Sequence, residues 1–225
     1  MPEPTGGTPI IDCDVHNRFK DGKMTALWPY LPRAYQEDVR EWGINIPSVG
    51  YPNGGDRGYR GDAWPADGFP GSDLDLMREQ LLDAFNVEYA ILLGQELRPL
   101  GTLPNADYAA ALARAYNDHL IEHWLSVEPR LRGAMLIATQ DIPAAVKEVE
   151  RIGRHPGIVE VLVSNGARLP YGNVITVPFL RCAKRSASPS RCIRAAKAPA
   201  STASRPSPAT APTTSRTGRS GPKGT

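Results

Sequence analysis

The 225-residue chain contains no run of about 18 apolar residues, and its opening, MPEPTGGTP, carries neither a basic segment nor an apolar one. These absences lead to the expectation of a soluble, cytoplasmic protein with no membrane partner. Only three cysteines occur, Cys13, Cys182 and Cys192, none in a CxxC pair, which argues against a disulfide framework and a thiolate zinc or redox site. Cys13 is read as a small buried apolar residue. There is no GxGxxG after the first strand and no GxxxxGK[ST], so the usual dinucleotide fold and the phosphate-binding loop are set aside. The sharpest absence is local. Residues 174–225 hold no Asp, Glu, His or Trp, although the chain has 24 acidic residues, four His and four Trp. They hold ten of the 26 basic residues, and Ser, Thr, Pro and Ala fill 31 of these 52 positions. Residues 1–173, with 16 basic and 24 acidic residues, are net −8, against +10 beyond them. Residues 1–173 are therefore expected to fold, and 174–225 to be a basic, low-complexity, disordered tail.

What is present before residue 174 alternates between two periodicities. Residues 9–15 read as a buried strand and 28–42 carry a short helical stretch. Residues 44–72 are rich in Gly and Pro and read as a long irregular loop. Ser72 and Asp75 form a capping-box pattern ahead of Leu74, Met77, Leu81, Leu82 and Phe85, whose spacings of three and four mark one helix face. Residues 89–93 are a short strand, 105–126 a helix, 131–138 a strand, a third helix follows capped by Asp141, and 158–163 a fourth strand. Helices alternating with apolar strand runs indicate a parallel α/β sheet. With dinucleotide signatures lacking, the expected fold is an incomplete TIM (β/α)8 barrel comprising its first four βα units.

The strongest chemical signal is IDCDVH, residues 11–16, where a strand ends in Asp14 and His16. Side chains at i and i+2 leave a strand on one face, so the carboxylate and the imidazole can converge on one ion. An oxygen and a neutral imidazole nitrogen suit zinc or a similar divalent metal. In a βα barrel, such ligands come from strand carboxyl ends.

IDCDVH followed by a long loop, with ILLG, LRGAMLIA and GIVEVLV in order, resembles the amidohydrolase-related family of metal-dependent hydrolases and decarboxylases, the group that includes aminocarboxymuconate semialdehyde decarboxylase. The resemblance extends from residue 9 to about residue 173. It implies that Asp14 and His16 are metal ligands, that the cofactor is zinc with manganese as the other choice, and that the substrate is a small, carboxylated molecule. It also implies later ligands, a His at strand 5, usually another at strand 6, and an Asp at strand 8. None can lie in residues 174–225, which contain neither residue type.

The third base of each codon taken with the first two of the next permits, from Arg185 to Arg205, the string LGLPVAVHPGGEGAGINGLPT, which resembles the family's fifth strand with its metal-binding His. A single frameshift near Asn173 or Val174 is inferred. The expected molecule is then a truncated, inactive member of an enzyme lineage. The alternative is a non-catalytic half-barrel that self-associates or binds another protein.

Other features receive plainer readings. Residues 119–123, HLIEH, fit HxxEH, an inverted zinc-protease pattern, but lie in a covering helix where His119 and His123 read as partly exposed helix residues. His155 reads as a helix C-terminal cation. The segment around Arg57 and Arg60 also carries Asp56, Asp62 and aromatic residues, and reads as a lid over the barrel mouth in which Arg57 and Arg60 meet a substrate carboxylate. The tail's charges are scattered and lack aromatic neighbours, so nucleic acid is not the expected partner.

Overall fold

The computed structural model describes residues 8–21, 23–44, 46, 59–164, 173, 177–186 and 192–195. Strand β1 (Ile10–Val15) leads to a 3-10 turn (Thr25–Tyr30) and helix α1 (Arg33–Trp42). Helix α2 (Leu74–Met77) runs on as a π-helical turn (Arg78–Asp83) into β2 (Val87–Leu92). Helix α3 (Ala106–Leu120) likewise widens into a π turn (Ile121–Leu125) before β3 (Leu131–Leu136). Helix α4 (Ile142–Ile152), β4 (Ile158–Val163), α5 (Val177–Ser186) and β5 (Cys192–Ala195) follow. All neighbouring strands pair in parallel, in the order β1-β2-β3-β4-β5. Sequential parallel order with a helical crossover between neighbours is the arrangement of an unclosed βα barrel.

The core forms where the helix stripes meet the sheet: Leu82 from the α2 turn, Leu112, Tyr116 and Leu120 from α3, and Ala90, Leu92 and Leu131 from the strands are all almost fully buried. Helix starts follow the side-chain capping rule. Asn105 accepts from the Tyr108 amide at 3.0 Å, and Asp141 from the Ala144 amide at 2.9 Å with Pro143 in the first turn. At α2 the cap is Asp73, which accepts from Leu76 N at 2.9 Å, rather than Ser72. Ser72 Oγ closes the preceding turn by accepting from Phe69 N, and Asp75 is engaged by Arg78, so neither half of the expected capping box is available.

Three further expectations change. Cys13 is exposed, because β1 is the first strand in the sheet order and no described strand flanks its outer side. His155 Nδ1 accepts from Gly157 N at 3.1 Å, so its ring serves the turn before β4 as an acceptor rather than as a cation. Within the expected disordered tail, residues 177–186 form α5 and 192–195 form β5. Val177, Leu180 and Cys182 provide a short apolar stripe, Cys182 is buried with its Sγ 4.0 Å from Val146 O of α4, and β5 satisfies backbone groups along β4. The remainder of the segment lies outside the described residues, as does the tail's boundary at residue 174.

Candidate metal centre at the end of the first strand

Asp14 and His16 leave the carboxyl end of β1 together, with His16 Nε2 3.4 Å from Asp14 Oδ1. Their side chains are 61% and 34% exposed, so both face accessible space. Two donors bound to one ion at about 2.1 Å each stand at about this separation around a tetrahedral centre, and the O/N pair suits a divalent metal. Upstream, Asp12 Oδ1 accepts from Asp14 N at 3.0 Å and fixes the backbone that presents the carboxylate. The last residues of β2, β3 and β4 are Leu92, Leu136 and Val163, none of them a metal donor. Among the described residues, no group of three His, Cys, Asp or Glu is arranged to hold a metal. The pair therefore offers a divalent ion two donors, fewer than the three or four protein ligands such a centre uses.

The segment after His16 is held from two sides. Leu93 N donates to Val15 O at 2.9 Å, Gln95 N to Asn17 O at 3.1 Å, and Gly94 N to the buried Asn17 Oδ1 at 2.9 Å, stitching the turn after β2 to the chain leaving β1. Gly94 has φ +48°, and a Cβ there would lie 2.5 Å from the Tyr116 hydroxyl, so the turn requires glycine both conformationally and sterically. From the loop side, Arg18 N donates to Gly71 O at 2.9 Å, and a Cβ on Gly71 would lie 2.5 Å from His16 O.

Arg18 Nε donates to Glu96 Oε1 at 2.8 Å, and its guanidinium lies over the rings of Phe69 and Tyr59, at 4.5 and 5.6 Å from their centroids. Burial raises the Glu96 pKa against the opposing pull of Arg18. Sequence reasoning missed Asn17, Arg18 and Glu96. Arg18, a cation two residues beyond His16, was open to notice, whereas Glu96 had no sequence signal tying it to β1. Arg60, a proposed carboxylate ligand, is an exposed residue whose Nε and Nη2 donate to Asp62 at 2.9 and 3.0 Å and whose Nη2 lies 3.5 Å from Gln80 Oε1. Arg57 lies outside the described residues.

On the helix side of this segment, Arg18, Lys20, Asp21, Ser72, His119 and His123 help line a cleft of about 680 Å3. His119 is buried rather than partly exposed, at 9%, because Phe19 and Tyr30 close over its ring. Burial, followed by the neighbouring His123, lowers its pKa to about 4.

No protein-family model and no curated protein matches the chain. Solved structures do. A 5-carboxyvanillate decarboxylase from Sphingomonas paucimobilis is 18% identical, with 79% of this chain covering 49% of that one at a TM-score of 0.53. One from Novosphingobium aromaticivorans, complexed with manganese and 4-hydroxy-3-methoxy-5-nitrobenzoic acid, is 17% identical, with 83% covering 49% at 0.54. The chain thus shares the fold of these proteins and spans about half their length. The shared fold is that of a partial (β/α)8 barrel, as expected from the strand and helix pattern.

Proposed function

We propose that the chain is the metal-binding first half of an amidohydrolase-related barrel, from a lineage of metal-dependent hydrolases and decarboxylases acting on a carboxylated small molecule. The observation that carries this reading is the convergence of Asp14 and His16 at the carboxyl end of β1, on a fold shared with a manganese-bound decarboxylase. Asp14 contributes negative charge to a divalent ion, zinc or manganese, and His16 a neutral nitrogen. Such an ion, when bound, polarises a substrate oxygen or acidifies a water. Asn17 and Gly71 fix the backbone that follows the pair. Arg57 and Arg60 are the proposed partners of the substrate carboxylate, and Arg60 must exchange Asp62 for it.

The chain alone is not expected to turn over substrate, because the segment after Asn173 holds no His and no Asp. A frameshift near that residue accounts for this loss. The alternative, a non-catalytic half-barrel that pairs with a second copy or another protein, is favoured by Ile10 and Ile11, 47% and 57% exposed along β1. Metal analysis of the purified chain separates the two readings. One equivalent of zinc or manganese that Asp14→Ala and His16→Ala each remove from the wild-type total supports the first. Metal content unchanged by both substitutions after loading with either ion overturns it.

A further inference from the structure

The HLIEH motif plays no part in the centre just described, yet its two imidazoles are brought together. Residues 119 and 123 straddle the point where α3 widens into its π turn, a helix irregularity frequent at functional sites. Their ring centroids are 4.6 Å apart with an interplanar angle of 37°, and both rings line the cleft. His123 Nε2 lies 2.9 Å from the Tyr30 hydroxyl, which donates to Glu122 Oε2 at 2.7 Å. This carboxylate–hydroxyl–imidazole chain holds the His123 ring from behind, as outer-shell partners hold a ligating imidazole, and leaves Nδ1 as its other ring nitrogen. Among the described residues, the buried Nδ1 of His119 has no hydrogen-bond partner, a condition that folded proteins rarely leave unanswered.

We propose that His119 and His123 together chelate a transition-metal ion, zinc above all, in the cleft beside the first-strand centre. Two imidazoles at i and i+4 on a helix form a bite for such an ion, and their borderline-soft nitrogens favour zinc over magnesium or calcium. Asp21, Asp73 and Asp75 line the same cleft, where Asp21 accepts from Thr25, Asp73 caps α2 and Asp75 holds Arg78, and the open cleft admits water as a further ligand. Lys20 also faces the cleft, while Arg18 is neutralised by Glu96. Neither Asp14 nor His16 lines this cleft.

Zinc chloride titrated calorimetrically into the full chain tests this, with the first-strand pair removed as Asp14→Ala/His16→Ala. That variant should still bind about one equivalent. Adding His119→Gln or His123→Gln should weaken binding by about tenfold or more, with circular dichroism confirming that the helices persist. Should His119→Gln unfold the chain, the exposed His123 provides the decisive variant. No zinc binding by the double variant, or binding indifferent to His123→Gln, would overturn the proposal. A wild-type chain binding no more zinc than the double variant counts against the first-strand centre instead, so the two ideas fail separately.

Discussion

The side-chain amide of Asn117, in α3, closes both backbone hydrogen bonds of Leu136 at the end of β3. Asn117 Nδ2 donates to Leu136 O at 2.9 Å, and Leu136 N donates to Asn117 Oδ1 at 2.8 Å. One side chain thus substitutes for a strand neighbour where the sheet hands over to the loop. The same Nδ2 reaches Glu148 Oε1 at 2.8 Å, and Arg151 ties Glu148 to Asp118, so α3, β3 and α4 are joined through one polar network that runs from the buried Asn117 to the surface.

Asn117→Ala should therefore destabilise the chain by about 2–4 kcal/mol, since it strands the buried Leu136 amide and carbonyl and leaves Glu148 Oε1 with Arg151 as its remaining donor. Urea unfolding midpoints measure it. A loss below about 0.5 kcal/mol would mean that water replaces the amide.

Stability should fall on mild acidification through His119. Its folded pKa, about 4, lies below the ordinary 6.5, so the unfolded chain takes up the proton first. The stabilisation is full above pH 6.5 and declines as the pH drops towards 4, by a total of about 3 kcal/mol at most. His119→Gln should flatten the urea-midpoint profile across that window relative to wild type. Glu128 behaves alike in a lower range: Arg130, with help from Arg78, holds its pKa at about 2, so its contribution is lost between about pH 4.5 and 2.

Gly94→Ala should cost about 2 kcal/mol or more, because it combines a left-handed backbone with a Cβ against Tyr116. Tyr116→Phe in the same chain should restore part of the loss by removing the nearest atom. An unchanged melting temperature for Gly94→Ala would contradict the geometry around Asn17.

Self-association is expected through the outer side of β1. Sedimentation velocity should show a concentration-dependent species larger than the monomer, and Ile11→Lys should shift it towards monomer by placing a charge on that strand. A single monomeric species at every concentration would argue against edge pairing.

Resequencing the DNA across codons 170–200 tests the frame. A nucleotide string able to encode HPGGEG in the shifted frame is expected, and one unable to do so removes the frameshift.

Much of the molecule was legible from local patterns. The four strands, the Asn105–Ser126 helical span and the Asp141 cap follow from apolar spacing and hydrogen-bonding side chains, and β4 begins and ends where its run of branched residues does. Asp14 and His16 were legible because a strand's period of two puts them on one side. Other features were not. The capping-box pattern favoured Ser72 as a cap, but the turn from Phe69 to Ser72 engages its hydroxyl instead. The π turns after Met77 and Leu120 have no residue signature, and they arise where each helix must meet its following strand in register.

By itself, the sequence determined the order of the first four strands and the helices between them, the presence of two metal-type donors at one strand end, and the charge break near residue 173, since each depends on neighbours along the chain. Only the tertiary structure decided that Arg18 meets Glu96 across 78 residues, that Asn117 serves Leu136, that Cys13 is exposed, and that His119 is buried beside His123 and Tyr30. The reason is physical. Periodicity states which face of an element is apolar, whereas the partner of a polar group depends on which distant backbone the packed core brings within about 3 Å.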